Sequence, residues 1–270
     1  MALPFPLRLF FANLLRMTKQ AFLSAHRSYR ESVRPQPGEI TFQVVLEQTD
    51  LFVTAQADLR EPMLDLVRSL RGELKNFMLM TPGFRESLAP VPAPLTAPPI
   101  AREMARAATL VNVGPMAAVA GTFAQFVADH FVSQSPNLIV ENGGDLYLHS
   151  TRERVVALLG DPASGARLGL KLSRRDFPVS LCASSATIGP SLSLGQGELV
   201  VVRSKSGAFA DAAATALANL IDTADDLDLV LARAKKLAPH GLEGVFVQAG
   251  GKLGVWGKME LVALEEEMKI

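Results

Sequence analysis

The chain has 270 residues, 49% hydrophobic and 20% charged, with 27 basic and 27 acidic side chains that cancel. That length supports a sizeable core, and the neutral balance argues against a general electrostatic role on nucleic acid, leaving only a local basic patch open. Cys182 is the only cysteine and the four histidines are scattered. An intrachain disulfide, a cysteine-based zinc or iron–sulfur site and a histidine metal motif are therefore excluded, which suits a reducing cytoplasm.

No stretch reaches the roughly 20 apolar residues of a membrane span, so no transmembrane span is expected. Residues 1–27 read as an amphipathic extension, with Leu7, Phe10, Phe11, Leu14 and Leu15 among Arg8, Arg16, Lys19 and Arg27. Three readings are open: a helix docking on its own domain, a helix for a membrane surface or partner, or translation from Met17. Residues 28–270 read as one domain. GEITFQVVLEQTDLFVTAQA (38–57) predicts two strands joined near Gln48-Thr49-Asp50. Met63, Leu64, Val67, Leu70 and Leu74 are at helical spacing and predict a helix over 60–80, with Pro62 near its start. LAPVPAPLTAPPIAREM reads as a stiff, extended crossing segment, with a PxxP peptide ligand as the sharper alternative.

Gly114-Pro115 predicts the start of a helix whose first turns are small (Ala117, Ala118, Ala120, Gly121). Its unpaired N–H groups would form an anion site. LIVENGGDLYLHS then runs a strand into Asn142, Gly143, Gly144 and Asp145 and out again. Paired glycines commonly mark a bulge or tight corner; the functional alternative is a ligand brought close to the backbone. Short strands follow (RVVALLGD, RLGLKLS, PVSLCAS, GELVVVRS), interrupted by ASSATIGPSLSLGQG. That loop offers hydroxyls from Ser184, Ser185 and Thr187 beside Gly189, a composition able to wrap phosphates or a ring edge but without a P-loop lysine. Cys182 beside it reads as a buried strand cysteine rather than a nucleophile.

GAFADAAATALANLI predicts a second small-residue helix with Ser206 as N-cap and Asp211 in the first turn, and DDLDLVLARAKKLA a third, amphipathic one. Thr215 lies four residues after Asp211, on the same face. A carboxylate and a hydroxyl one turn apart suit a hard cation such as magnesium; the plainer alternative is a capped, buried alanine-rich helix. The chain closes with a hairpin turning at Gly250-Gly251. Helices mixed with consecutive hairpin-like strands predict an α+β fold with mixed or antiparallel sheets. The helix starts, the Gly-Gly corner and the hydroxyl loop together suggest an anionic, ring-bearing ligand, a dinucleotide or a flavin nucleotide, bound without the Rossmann fingerprint.

VGPMAAVAGTFAQFVAD, VENGGDLYL, CASSATIGPSLSLGQ, FADAAATALAN and GVWGKMELV, in that order, resemble the ApbE flavin transferases. SYRESV, EQTDLFVTA and PGFRESLAPV are similar to a narrower bacterial and archaeal family of that superfamily, one without an assigned activity. The resemblance implies an ApbE-like fold, magnesium, and FAD or FMN as ligand or substrate. It also implies transfer of FMN from FAD to a threonine or serine of an acceptor protein, with release of AMP. The D-A-x-x-T metal motif of those enzymes matches Asp211 and Thr215, and their backbone metal ligand falls near Ala120. The flavin-approaching corner matches Asn142, Gly143, Gly144 and Asp145.

Two departures bear on the reaction. The lysine of the Ala/Gly helix falls at about Gly121, and a His-x-x-Asp-Pro-x-Thr-Gly stretch is missing after the serine loop. No histidine occurs between His149 and His240, and DPASG at 161–165 comes in the wrong order. No catalytic residue is assigned. The expected function is magnesium-assisted binding of FAD, FMN or a related nucleotide, with magnesium-dependent FMN transfer as the alternative; self-association into a homo-oligomer is left open.

Overall fold

The computed structural model describes Arg30 and residues 33–158, 168–185 and 199–264. The amphipathic extension, DPASG and Thr187 lie outside the described residues.

The first predicted hairpin forms β1 (Ile40–Leu46) and β2 (Thr49–Ala55). The predicted helix follows as α1 (Arg60–Met80), burying Met63, Val67, Leu70 and Leu74. Its apolar positions recur every three or four residues, so one stripe faces the core, and each buried side chain contributes about 1.5–3 kcal/mol. The proline-rich segment carries no regular structure up to Pro98, with Leu88 and Leu95 exposed. The expectation that it stays extended fails at its end, where α2 spans Pro99–Val111. Pro99 occupies the first helical position, where its missing N–H costs nothing and its fixed φ is already helical. Asn112 ends the helix in the left-handed region, at φ 63°.

Gly114-Pro115 opens a short 3₁₀ turn, Pro115–Ala118, and α3 begins only at Val119 and ends at Phe131. The hairpin β3 (Leu138–Asn142) and β4 (Asp145–His149) comes next. It is followed by β5 (Arg154–Leu158), β6 (Leu168–Leu172), β7 (Val179–Ser184) and β8 (Leu199–Ser204). The helices α4 (Gly207–Ala218) and α5 (Leu227–Leu237) precede β9 (Leu242–Ala249), β10 (Lys252–Gly257) and β11 (Glu260–Ala263).

Eight strands form one sheet in the order β1-β2-β3-β4-β7-β8-β9-β10, and β11-β6-β5 form a second. Every pairing is antiparallel. The fold is α+β. Along β7, β8 and β9 successive residues serve two cores, because side chains alternate across a strand. Cys182, Val200, Val202, Val245 and Val247 join the helices on one face. Leu181, Leu199, Val201 and Phe246 join Leu158, Leu170 and Leu172 of the small sheet on the other. The apolar run LVVV in β8 is thus that of a strand covered on both faces. Among the described residues no single helix is long and apolar enough to cross a membrane.

Buried ion pairs tie the small sheet and its approaches to the rest. Arg154 at the start of β5 donates to both carboxylate oxygens of Glu39, one bond being 2.9 Å, with side chains 6% and 1% exposed. Burial alone would raise the Glu39 carboxyl; the Arg154 guanidinium and the Gln36 N–H outweigh it and hold it below its ordinary value. A depressed carboxylate contributes stability that is present above its unfolded pKa, about 4.3, and is lost as pH falls through the lower folded value. Arg154→Ala is expected to cost about 3–5 kcal/mol in urea unfolding at pH 7, since it strands a buried charge. The deficit should narrow below pH 4; an equal deficit at every pH would show that lost packing, not the pair, is responsible.

Candidate functional site

Four elements meet at one end of the helix-covered face of the large sheet. The first is the β3–β4 turn. Asn142 pairs with Asp145 across it, and Gly143 and Gly144 have φ 71° and 105°, the positive values that a tight two-residue hairpin turn demands. The turn accounts for both glycines. A Cβ at Gly144 would have only Ala183 Cβ nearby, at 3.9 Å, so conformation rather than crowding requires that glycine. The corner is braced from behind. Glu141 accepts from the Gly144 N–H at 2.8 Å and from Arg30 Nε at 2.7 Å, and Arg30 also donates to Asp50 at 2.8 Å.

The second and third elements are α3 and α4, which cross with their backbones in contact. A Cβ on Gly121 would lie 2.4 Å from the Gly207 carbonyl oxygen, and one on Gly207 2.3 Å from the Gly121 carbonyl oxygen. Ser206 caps α4 as expected, accepting from the Phe209 N–H at 3.2 Å. Asp211 is not in the first turn, however: it is the fifth residue of α4 and is buried. Its Oδ2 accepts from the Gly121 N–H at 2.9 Å, so it caps α3 rather than its own helix. Asn142 Nδ2 donates to the Ala120 carbonyl at 3.1 Å, linking the turn to the same place. At Gly114-Pro115, where an anion site is expected, the Ser87 backbone packs against the glycine: a Cβ on Gly114 would be 1.9 Å from the Ser87 carbonyl oxygen.

The fourth element is the end of β7. One step beyond the Leu146–Leu181 pair, Asp145 faces Cys182, and Ser184 lies two residues on, on the same face. Asp145 is buried and its Oδ1 has no hydrogen-bond partner; Ser184 Oγ is likewise buried and unpartnered. Burial, then the charge of Asp211, pushes the Asp145 carboxyl well above the carboxylate range. Burial pushes Asp211 up to about 7 against the opposing pull of the Gly121 and Ala120 N–H groups. Cys182, 3.3 Å from Ser180 Oγ, is raised by burial and then by the two aspartates, so its thiol stays protonated.

The predicted residues thus separate into groups. Ala120, Asn142, Asp145, Ser184 and Asp211 converge. Ser185 is buried directly after them, and Thr215 is half-buried one turn along α4 from Asp211. Thr187 lies outside the described residues. Sequence reasoning missed the Gly121–Gly207 contact and the proximity of Cys182 to both aspartates. The glycines were visible, but only the crossing of two helices gives them a meaning.

The family model described as AbpE bacteria matches residues 31–249. The chain belongs to that family. A UPF0280 protein of Methanosarcina acetivorans is 33% identical over 207 residues, covering 76% of this chain and 81% of that one. A UPF0280 protein of Methanocaldococcus jannaschii is 34% identical over 213 residues, covering 76% and 86%. Among solved structures, the flavin transferase ApbE from Vibrio cholerae is 13% identical with a TM-score of 0.53, covering 81% of this chain and 96% of that chain. The flavinyl transferase ApbE of Pseudomonas stutzeri, in its apo form, is 12% identical with a TM-score of 0.53, covering 81% and 94%. At that identity the likeness establishes a shared fold for this AbpE-family chain.

The helix contact gives a direct test. Gly121→Ala would ordinarily stabilise a helix interior by about 1 kcal/mol. Here the added methyl meets backbone oxygen, Asp211 Cβ at 2.8 Å and Cys182 Sγ at 3.0 Å. Overpacking of this kind costs about 1–3 kcal/mol, so urea unfolding should show net destabilisation. An increase in stability would mean that the two helices separate without cost.

Proposed function

We propose that the Asp145–Asp211 site binds a flavin nucleotide, FAD or FMN, or a related nucleotide, with the help of magnesium. The observation that carries this reading is the buried Asp145 oxygen without a partner, beside a second buried carboxylate. Two such groups keep a high desolvation cost unless a proton or a cation joins them. The donor set fits a hard cation: the carboxylates of Asp211 and Asp145, the Thr215 hydroxyl and the Ala120 carbonyl are all oxygens. Among the described residues no three His, Cys, Asp or Glu side chains form a closed metal cluster. That suits an ion such as magnesium, which completes its shell with phosphate and water oxygens. When bound, the ion would offset phosphate charge. Ser184 and Ser185, continuing to Thr187, would donate hydroxyls to the ligand, and the Asn142–Asp145 turn would form the wall beside it.

A second reading, transfer of FMN from FAD to a threonine or serine of an acceptor protein, draws support from the fold shared with the flavin transferases of Vibrio cholerae and Pseudomonas stutzeri. In that reaction a bond forms between the hydroxyl oxygen and the FMN phosphorus, the pyrophosphate bridge breaks, and AMP leaves. The sequence departures weigh against it. The lysine of the transferases falls at about Gly121 by resemblance, and a side chain at Gly121 itself would meet backbone oxygen; no histidine follows the serine loop before His240.

Calorimetric titration with FAD, with and without magnesium, tests the binding. Asp211→Ala is expected to weaken magnesium-dependent affinity at least tenfold, about 1.4 kcal/mol. Identical affinities in wild type and variant, with and without the ion, would leave Asp211 as a cap for α3 alone. Chromatography of the same mixtures, with an acceptor protein added, follows AMP and FMN; AMP released with FMN covalently attached to a threonine or serine would favour the transferase reading, and AMP with free FMN would mean hydrolysis.

Asp145→Asn provides an independent check. It removes one of two mutually repelling carboxylates, so in EDTA the melting temperature should stay level or rise while magnesium-dependent binding falls. A marked drop in the metal-free melting temperature would show that Asp145 holds the fold together and would count against its role in the site.

A further inference from the structure

At the opposite end of β4 and β7 from the turn lies a groove of about 670 Å³, lined by Gln36, Arg152, Glu153, Ser173, Arg174 and Arg175. It is separated from the Asp145–Asp211 site by the length of a five- or six-residue strand, roughly 15–20 Å. Three guanidinium groups share this groove, and among the described residues none of them forms a direct ion pair, although Arg152 is near enough to help hold down the Glu39 carboxyl that Arg154 binds. Among the described residues the Arg152 guanidinium donates to the Pro37 carbonyl, at 3.0 Å. The Glu153 carboxylate is taken by Lys171 at 3.2 Å.

Isolated surface arginines are ordinarily just solvated, but these stand on a fixed support. Arg174 and Arg175 open a 3₁₀ turn closed by a reciprocal capping box between Ser173 and Asp176. Asp176 is itself held by the buried Arg203. The two exposed guanidinium groups therefore project from a braced turn into a groove that already holds a third positive charge.

We propose that this groove binds a small phosphate-bearing molecule through Arg152, Arg174 and Arg175. The guanidinium fork matches phosphate oxygens with paired, charge-assisted hydrogen bonds. The groove is shallow and open to solvent, so it can hold a phosphate group at the surface without enclosing a whole molecule. Among the described residues no aromatic side chain lines the groove, so recognition falls on the phosphate end. Three arginines are too few for a nucleic-acid track, which engages about 6–10 phosphates.

Pyrophosphate titrated into the full-length protein in EDTA, at a fixed ionic strength of about 0.15 M, tests the proposal without any magnesium-dependent contribution. Saturable binding is expected, weakened at least about tenfold by combining Arg174→Glu with Arg175→Glu. A smaller loss is expected from Arg174→Gln, which removes the donors without adding negative charge. Both positions are exposed, and thermal melting checks that the fold is kept. Asp211→Ala should bind pyrophosphate as wild type does. ADP binding as tightly as pyrophosphate would identify the phosphate end of a larger molecule as the ligand; preference for pyrophosphate would identify the free anion. The proposal is overturned if wild type does not saturate, if the arginine variants bind unchanged, or if sulfate at equal ionic strength competes equally. It is also overturned if only Asp211→Ala loses binding, or if single-stranded RNA binds with a steep salt dependence and pyrophosphate does not.

Discussion

The geometry of the candidate site depends on one contact, the crossing of α3 and α4 at Gly121 and Gly207. Each glycine lacks a Cβ where the other presents its carbonyl oxygen. Only that separation allows Asp211 to reach across and accept from the Gly121 N–H. The same approach places the Ala120 carbonyl within reach of Asn142 and sets Cys182 beneath both helices. A larger residue at either glycine would separate the carboxylate from the amide it caps. The α3 terminus would then lose a partner, at a cost comparable to a lost cap, about 1 kcal/mol.

The cost of the arrangement is electrostatic. Asp145 and Asp211 are buried together, and burial raises both. A fold selected for stability alone would place apolar groups here, because buried charges seldom repay their desolvation. Two buried oxygens without partners, on Asp145 and Ser184, add to that cost. The surrounding structure carries it through well-satisfied supports: Glu141 is engaged by Arg30 and the Gly144 N–H, and α4 is anchored by Ser206 and by Gln125 accepting from the Gly207 N–H at 2.8 Å. The polar cost is concentrated at this one end, and the hydrogen bonds around it are satisfied.

The opposite face of the large sheet follows another rule. There the small sheet is fixed by apolar packing and by buried arginines whose carboxylate partners are present: Arg154 with Glu39, and Arg203 with Asp176 and Glu243. These pairs neutralise positive charge inside the protein. Beside them, the exposed guanidinium groups of Arg174 and Arg175 are left for solvent or a ligand. Exposed arginines thus gather at one end of β4 and β7 and buried carboxylates at the other, although the chain as a whole is neutral.

Much of the fold is legible in the sequence because it rests on local rules. The 3.6-residue spacing of Met63, Val67, Leu70 and Leu74 marks α1, and the alternating or continuous β-formers mark most strands. Gly143-Gly144 and Gly250-Gly251 mark two hairpin turns because a turn with positive φ favours glycine. Where two local rules compete, the reading fails. The prolines before α2 suggest an extended chain, yet Pro99 is also a good first helical residue, and the apolar face that α2 buries settles the matter. The site residues were named by spacing and motif, but their arrangement was not. That Asp211 caps α3, that Asp145 stands opposite Cys182, and that arginines of two separate segments share a groove are facts about chain crossings. Local propensity acts over a few residues, whereas these contacts join positions as far apart as Gly121 and Asp211. Only the packing of helices on the sheet brings such positions together.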